Sequence, residues 1–306
     1  MPEPAAPAID AATRLCAVYG FPVRHSASPP LHNAGFAALG LNWRYLAFEV
    51  APDDLAAALA GAKAMRFAGL NLTVPHKLLA VEMMDVLDES ARTWGAVNTV
   101  RFEGREPGGG WRPLAELAAP PAEVRAHGFN TDADAIVTAV REDLALELGG
   151  ASVVLLGAGG AGRTAALKLA AEKVAHLFLV NRTAAKAEAI AREIRQRFPN
   201  VAVTAGYPSD PVDLVINATS LGLKPGDGLP YDEGRFSLRQ AGAVFDMIYR
   251  PAETGLLRNA REAGCRAANG MGMLLYQGAR ALELWTGRKA PVAVMRQALE
   301  RALTGA

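Results

Sequence analysis

The chain has 306 residues, of which 51% are hydrophobic and 21% charged, and these values fit a globular protein of about two domains and exclude a disordered chain. Its 32 lysines and arginines balance 31 aspartates and glutamates, so the net charge of +1 favours neither nucleic acid nor an acidic membrane as partner. Two distant cysteines, no apolar stretch of roughly 20 residues and no apolar region near the N-terminus predict a soluble cytoplasmic protein without disulfides, membrane spans or a signal peptide.

Short apolar runs alternate along the chain with alanine-rich segments. The runs predict strands at 14–20, 43–50, 67–74, 152–158, 176–181, 212–218 and 243–249. The segments between them predict helices at 53–64, 161–172, 184–198 and 271–286, and a linking helix at 131–144. This alternation predicts an α/β protein with parallel sheets and crossover helices. Residues 103–123, rich in Gly and Pro, are expected to form an exposed hairpin or loop, and the last forty residues to add no strand.

Polar residues gather where strands of the first half end. Ser28 precedes two prolines, which predicts a helix N-cap, and Ser26 and Ser28 can together present hydroxyls to a carboxylate at that helix end. Simple capping explains Ser28 equally well. Lys77 follows the strand-ending Pro75 in a loop or at a helix start, where an exposed surface charge is the simpler interpretation.

Two Asn-Thr steps add amides and hydroxyls at further strand ends. They are Asn98-Thr99 and Asn130-Thr131, and Asp132 adds a carboxylate after the second, although turns and caps explain such residues in most proteins. The five histidines have no metal-binding spacing, so no metal is assigned.

The strongest local pattern is SVVLLGAGGAGRTAALKLA, in which Gly157, Gly159 and Gly162 form GxGxxG between a strand and a helix. This context predicts a dinucleotide site, with the pyrophosphate at the helix N-terminus. The next strand ends at Asn181, where an NAD site usually has an acidic residue. Arg182, Thr183 and Lys186 follow instead and favour the 2′-phosphate of NADP, unless the two cations are merely solvated charges at a helix start.

Nine motifs in order resemble the shikimate dehydrogenase family. They are HSASP (25–29), NLTVPHK (71–77), AVNT (96–99), NTD (130–132), GAGGAGR (157–163), NRTAAK (181–186), NATSLG (217–222), DMIY (246–249) and GMGMLLYQG (270–278). The resemblance implies an α/β fold with two domains, an N-terminal α/β substrate-binding domain (1–131 plus 271–306) and a C-terminal Rossmann NADP-binding domain (132–270). It implies reversible reduction of 3-dehydroshikimate to shikimate by NADPH, in the synthesis of aromatic amino acids.

The same resemblance implies roles for individual residues. Lys77 is expected to be the catalytic lysine, paired with Asp132, and Ser26 and Ser28 to hold the substrate carboxylate. Further substrate contacts are implied for Thr73, Asn98, Tyr249 and Gln277. Cofactor contacts are implied for Gly157, Ala158, Gly159, Gly160, Ala161, Gly162, Asn181, Arg182, Thr183, Lys186, Met247 and Gly270, with a weaker one for Glu89.

Departures from the family pattern leave alternatives open. His76 precedes the lysine where many members have an aromatic residue, and the segment 103–127 is longer than the expected compact hairpin. One alternative is a paralogue that oxidises quinate or another cyclitol acid and uses NAD. The other is a non-catalytic NADP-binding regulatory module. A monomer and a homodimer are both compatible with the sequence.

Overall fold

Strands and helices alternate along most of the chain. The computed structural model describes residues 7–304. Its strands are β1 Arg14–Gly20, β2 Trp43–Glu49, β3 Gly69–Leu72, β4 Val86–Leu87, β5 Thr99–Arg105, β6 Trp111–Pro113, β7 Val124–Phe129, β8 Ser152–Leu156, β9 His176–Val180, β10 Ala202–Ala205, β11 Val212–Asn217, β12 Ala241–Asp246 and β13 Arg266–Asn269. Its α-helices are α1 Ser28–Ala38, α2 Leu55–Ala64, α3 His76–Leu79, α4 Glu89–Trp94, α5 Asp132–Leu144, α6 Gly160–Ala171, α7 Ala184–Arg197, α8 Gly255–Glu262, α9 Met271–Thr286 and α10 Val292–Thr304.

The described residues form two compact units. The first extends to Thr131 and resumes at Leu275, and the second extends from Asp132 to Leu274. The boundary between the two units therefore lies between Thr131 and Asp132, and the chain crosses it again within α9. No helix in residues 7–304 combines the length and the hydropathy that a membrane span requires.

The sheet of the first unit is mixed rather than parallel. Its strand order is β2-β1-β3-β5-β7-β4, and β6 pairs with β5. β1 is parallel to β2 and β3, whereas β5 is antiparallel to β3, β6 and β7. The prediction of parallel strands is wrong for the pairs that β5 forms. β5, β6 and β7 follow each other without a crossover helix, and such strands pair antiparallel. The predicted exposed hairpin at 103–123 is confirmed by the β5–β6 pairing.

A tryptophan near the end of α9 completes the core of the first unit. Trp285 is fully buried, and its indole N–H donates to the Val100 carbonyl oxygen of β5 at 2.9 Å. A Cβ added at Gly69 of β3 would lie only 2.0 Å from the Trp285 indole nitrogen. The ring therefore lies directly on the backbone of β3 and β5. Burying one large side chain of this kind contributes about 2–3 kcal/mol to the stability of the unit.

The second unit contains the parallel sheet that the sequence predicts. Its strand order is β10-β9-β8-β11-β12-β13, all parallel, with the first strand of the unit at the centre. This is a doubly wound Rossmann sheet, whose ligands bind beyond the carboxyl ends of the strands near β8 and β11. The expectation that no strand follows in the last forty residues is wrong, because β13 extends to Asn269. It is short and partly exposed, so it forms no apolar run.

Candidate active site

The two serines predicted to hold a carboxylate lie at the start of α1. The helix begins at Ser28, with Ala27 at the N-cap and no side-chain cap, so the prediction of Ser28 as N-cap is wrong by one residue. Two prolines occupy the following positions and fix the first turn without N–H groups that need a cap. The Ser28 N–H donates to Ser26 Oγ at 3.3 Å. Ser28 is buried and Ser26 half-buried.

Asn98 belongs to a buried hydrogen-bond network of the first unit. Its amide nitrogen donates to Thr131 Oγ1 at 2.9 Å, and its amide oxygen accepts from the Thr131 N–H at 2.7 Å. Asn71 donates to Thr99 Oγ1 at 3.0 Å and to the Asn98 carbonyl oxygen at 3.2 Å. The Tyr45 hydroxyl donates to Asn71 Oδ1 at 2.6 Å. The Asn98 side chain is therefore held in one orientation by Thr131, while Asn71 of β3 contacts the Asn98 backbone.

The same network reaches the first turn of α1 through Tyr45. Burial raises the pKa of the Tyr45 phenol well above its usual range, while a hydrogen bond with Ser28 opposes this effect. His32, one helical turn after Ser28, stacks on the Tyr45 ring with centroids 4.3 Å apart. Burial lowers the pKa of His32 to about 3, so this imidazole is neutral near pH 7. Tyr45 is therefore held by the bond from its hydroxyl to Asn71 and by the stacking of its ring on His32.

Lys77 lies in the short helix α3, as expected of a residue that follows the end of a strand. Its carbonyl oxygen accepts from the Val97 N–H at 2.9 Å, which brings Lys77 next to the Asn98 segment. The His76 N–H donates to the Thr73 carbonyl oxygen at 2.8 Å, so Thr73 and Lys77 belong to one turn. The His76 side chain is buried, and its Nε2 contacts the Val50 carbonyl oxygen at 2.9 Å. His76 is therefore a core residue, whereas Lys77 is only half-buried.

Gln277 and Glu89 lie on two other helices of the first unit. Gln277 is buried on α9. A Cβ on the adjacent Gly278 would lie 2.6 Å from Leu31 Cδ2, so α9 packs directly on α1 at this level. Gln277 is thereby brought to the helix that carries Ser28. Glu89 begins α4 and is exposed, and the structure gives it no contact that supports its weaker cofactor assignment.

The glycine loop after β8 needs glycine for different reasons at different positions. Gly157 has a φ of +108°, and a Cβ there would lie 2.9 Å from the Ala218 carbonyl oxygen. A Cβ on Gly162 would lie 2.2 Å from the Gly157 carbonyl oxygen, so α6 can approach the turn only without a side chain. A Cβ on Gly159 would meet nothing within 4 Å. Gly159 is the N-cap of α6. The space beside it is open, and the free N–H groups of the first turn of α6 attract an anion there.

A groove of about 810 Å³ runs from this loop to the residues after β9. It is lined by Gly157, Ala158, Gly159, Asn181, Arg182, Thr183 and Lys186, among others. Asn181 Oδ1 accepts from the Ala158 N–H at 3.0 Å and so joins the two segments. Thr183 is the N-cap of α7, but its hydroxyl makes no capping bond. Arg182 and Lys186 are exposed, and neither forms an ion pair with any residue in 7–304.

Met247 and Gly270 meet at the ends of β12 and β13. A Cβ on Gly270 would lie 2.1 Å from the Met247 carbonyl oxygen, so only glycine fits there. The Gly270 N–H donates to the Ile248 carbonyl oxygen at 3.1 Å. Tyr249 follows on the same segment and is half-buried, and Asp132 begins α5 with a largely buried side chain. Met247, Tyr249 and Gly270 thus come together at the carboxyl edge of the second sheet.

A buried trio, to which no sequence motif assigns a role, fixes this edge. Asn217 Nδ2 donates to Asp246 Oδ1 at 2.9 Å, and Thr254 Oγ1 donates to Asp246 Oδ2 at 2.6 Å. Asn217 Oδ1 also accepts from the Thr219 N–H at 3.0 Å. Burial raises the pKa of Asp246, although these hydrogen bonds oppose the shift. Asn217 and Asp246 are polar residues at the ends of the apolar strands β11 and β12, and they belong to the motifs NATSLG and DMIY. These positions were the sequence signal for the trio.

Comparison with known families assigns most of the chain. A family model described as the shikimate dehydrogenase substrate binding domain matches residues 18–100. A model described as shikimate / quinate 5-dehydrogenase matches residues 139–221, and one described as the shikimate 5′-dehydrogenase C-terminal domain matches residues 270–300. The three matches follow the order of the motifs along the chain.

Individual relatives match over nearly the full length. The shikimate dehydrogenase (NADP(+)) of Moorella thermoacetica is 42% identical over 303 residues, 96% of this chain and 95% of the relative. A crystal structure of a shikimate dehydrogenase in complex with NADP+ has a TM-score of 0.83 and 34% identity, covering 98% of this chain and 99% of that one. A ligand-free 5-ketofructose reductase of Gluconobacter sp. strain CHM43 has a TM-score of 0.78 and 34% identity, covering 95% and 99%. Similarity of this extent places the chain in the shikimate dehydrogenase family.

Proposed function

We propose that this protein is an NADP-dependent shikimate dehydrogenase, which interconverts 3-dehydroshikimate and shikimate in the synthesis of aromatic amino acids. The observation that carries the proposal is the 42% identity, over 96% of the chain, to a relative of that name. The residues that the chemistry requires are all present, including Lys77, Asp132, the paired serines and the glycine loop. A similar fold also occurs in the 5-ketofructose reductase, so fold alone does not identify the substrate.

The second unit has the features that a dinucleotide phosphate needs. Gly157 and Gly162 keep side chains out of the turn, and Gly159 leaves open space at the N-terminus of α6 for the pyrophosphate. Arg182 and Lys186 line the adjoining groove and have no carboxylate partner among the described residues, so their charges remain available to a 2′-phosphate. Met247 and Gly270 are the residues proposed for the nicotinamide end. When bound, NADP supplies the hydride-transfer chemistry.

Lys77 and Asp132 are proposed to handle the proton of the reacting hydroxyl. In the reductive direction an oxygen gains negative charge and needs a proton, which the Lys77 ammonium donates. The Asp132 carboxylate accepts a hydrogen bond from the same hydroxyl and orients it. In the oxidative direction the lysine takes the proton back. Both side chains are at least half-buried, which strengthens such interactions relative to water.

Substrate recognition is proposed to depend on fixed hydroxyl and amide groups. Ser26 and Ser28 would bind the carboxylate at the start of α1, and Asn98 and Thr73 the ring hydroxyls, with Tyr249 and Gln277 completing the set. Asn98 is already locked by Thr131, so its binding requires little loss of side-chain entropy. A substrate that lacks one matching hydroxyl leaves a buried polar group unpaired, and such mismatches discriminate strongly.

Steady-state assays with purified protein test the proposal. We expect kcat/KM for shikimate with NADP+ to exceed that for quinate with NADP+, and that for shikimate with NAD+, by at least about tenfold. Reduction of 5-ketofructose by NADPH should be slower than reduction of 3-dehydroshikimate. An equal or higher efficiency with quinate or 5-ketofructose would contradict the proposed substrate. Binding of NADP+ without turnover of any of these compounds would favour the non-catalytic alternative.

We propose that the protein is cytoplasmic. Cys16 and Cys265 are both free and buried, which supports a reducing compartment such as the cytoplasm. We propose that the active form is a monomer or a homodimer, and light scattering coupled to gel filtration at assay concentrations tests this. A larger assembly would contradict it.

A further inference from the structure

Several residues that line the groove of the second unit lie outside the family motifs. In addition to Arg182 and Lys186, it is lined by Tyr207, Tyr231 and Arg235, which belong to none of the nine motifs. β10 is the neighbour of β9, and the two strands are parallel. Tyr207 follows β10 at the same edge where Arg182 follows β9. Tyr207 and the segment that contacts it therefore form the wall next to the two motif cations.

Arg235 is held in place on this wall by an aromatic ring. Its guanidinium carbon lies 5.2 Å from the centre of the Tyr207 ring, a cation–π distance. The same ring stacks with Phe236 at 5.9 Å with an interplanar angle of 13°. The Tyr207 hydroxyl accepts from the Asp232 N–H at 2.8 Å, so it is tied to the segment that carries Arg235. The guanidinium is thus exposed but not free to take any orientation.

The charge of Arg235 is available to a ligand. Arg235 forms no ion pair with any residue in 7–304. The one carboxylate that lines this groove, that of Asp232, accepts from the Gly234 N–H at 2.9 Å and shapes the local turn. Three cations and one carboxylate therefore line the groove, with an aromatic wall beside them. This combination suits a phosphate monoester attached to a flat ring, because the cations attract the phosphate and the aromatic side chains contact the ring.

We propose that Arg235 is a further specificity-determining residue, which binds the 2′-phosphate of the cofactor together with the cations of the NRTAAK motif, while Tyr207 positions the Arg235 guanidinium. The inference rests on the proposed use of NADP. It adds a cation that lies more than fifty residues from Arg182 in the sequence and that no motif would reveal. Arg182 and Lys186 come from the start of α7, and Arg235 comes from the segment before β12.

Calorimetric titration with adenosine 2′,5′-bisphosphate and with adenosine 5′-monophosphate tests the inference without requiring turnover. We expect Arg235→Ala to weaken the bisphosphate about tenfold and the monophosphate less than about twofold, because only the first carries the 2′-phosphate. Arg239→Ala is the matched control, since Arg239 lies on the same segment but does not line the groove. It should leave both affinities unchanged. Tyr207→Leu should reproduce part of the loss, and Tyr207→Phe less of it.

Equal affinities of Arg235→Ala and the wild-type protein for the bisphosphate would overturn the inference, as would equal losses for both nucleotides. Turnover of shikimate by the wild-type protein tests the proposed function separately. Turnover combined with no effect of Arg235 on binding would reject only the role of Arg235. A binding loss specific to the bisphosphate, without turnover of shikimate, would support the role of Arg235 and reject the proposed substrate.

Discussion

Asn98 and Thr131 hold each other through two hydrogen bonds of opposite direction. The Asn98 amide nitrogen donates to Thr131 Oγ1 at 2.9 Å, and the Asn98 amide oxygen accepts from the Thr131 N–H at 2.7 Å. Thr131 Oγ1 also lies 3.1 Å from Thr99 Oγ1, so it is held in turn. Because both ends of the amide are engaged, its orientation is set by the protein itself. The substrate role proposed for Asn98 therefore depends on Thr131.

Removing the Thr131 hydroxyl should weaken substrate binding through Asn98. We expect Thr131→Val to raise the KM for shikimate about fivefold, because the amide loses the partner that fixes its rotamer, with little change in KM for NADP+. In a double-mutant cycle with Asn98→Ala, the two effects on kcat/KM should be non-additive by about 1 kcal/mol. Additive effects would show that Thr131 does not act through Asn98.

Lys77 and Asp132 should behave as one catalytic unit. We expect Lys77→Ala and Asp132→Asn each to lower kcat by a factor on the order of 10² or more, with small changes in KM for shikimate. The double variant should be about as slow as the slower single variant, because the two groups are proposed to act on the same hydroxyl. Multiplicative losses would contradict a joint role. Calorimetry with NADP+ serves as the control, since neither change should affect cofactor affinity.

Arg182 should discriminate between the two nicotinamide cofactors. It lines the groove beside the glycine loop and has no carboxylate partner among the described residues. We expect Arg182→Ala to raise the KM for NADP+ about tenfold to a hundredfold and to leave the KM for NAD+ nearly unchanged. Steady-state kinetics with each cofactor at saturating shikimate measure the difference. An equal loss with both cofactors would refute recognition of the 2′-phosphate.

Replacing Gly159 or Gly162 by alanine should affect different properties of the protein, cofactor binding for Gly159 and stability for Gly162. Gly162→Ala should lower the free energy of unfolding by about 1–3 kcal/mol, because the new Cβ would lie 2.2 Å from the Gly157 carbonyl oxygen. Gly159→Ala should leave thermal stability unchanged, since its Cβ meets no protein atom, yet weaken NADP+ binding by blocking the approach of the pyrophosphate. Unchanged NADP+ affinity in a stable Gly159→Ala protein would place the pyrophosphate elsewhere.

Glu103 should make the stability of the first unit sensitive to acid. This buried carboxylate accepts from Arg125 Nε at 2.7 Å and contacts His127 Nδ1 at 3.0 Å, and Arg101 is a further partner. Burial would raise its pKa, but the hydrogen bonds from His127, Arg101 and Arg125 prevail and lower it from 4.5 to about 2. Because the pKa in the folded state is lowered, the stabilisation is complete above 4.5 and is lost as the pH falls through about 2.

Denaturant unfolding at several pH values tests this expectation. Glu103→Gln should lower the free energy of unfolding by about 2 kcal/mol at pH 7, because two partly buried guanidinium groups lose their counter-charge. The difference from the wild-type protein should shrink as the pH falls below 4.5. Glu123→Gln is the matched control on the same hairpin, since its ion pair with Arg105 is about half exposed and is worth less than about 1 kcal/mol. A pH-independent difference for Glu103→Gln would contradict the assignment.

Local patterns in the sequence were sufficient for most of the second unit. The helices predicted at 161–172 and 184–198 are confirmed as α6 and α7 within one residue at each end, and the parallel sheet is confirmed. β10 was missed because only four residues form it and most are exposed, so no apolar run marks it. In the first unit the antiparallel β5–β7 pairing was missed, because strand direction depends on how the chain returns and not on composition.

The sequence by itself determined the glycine spacing, the cations after β9 and the individual motifs, since each depends on residues close together in the chain. Only the tertiary structure decided that Tyr45 contacts Asn71, that Thr131 locks Asn98 and that Arg235 lies over Tyr207. These partners are 26 to 33 residues apart in the two hydrogen-bonded pairs. A polar or charged residue shows in the sequence that it needs a partner, but which partner it meets is fixed by strand order and helix packing.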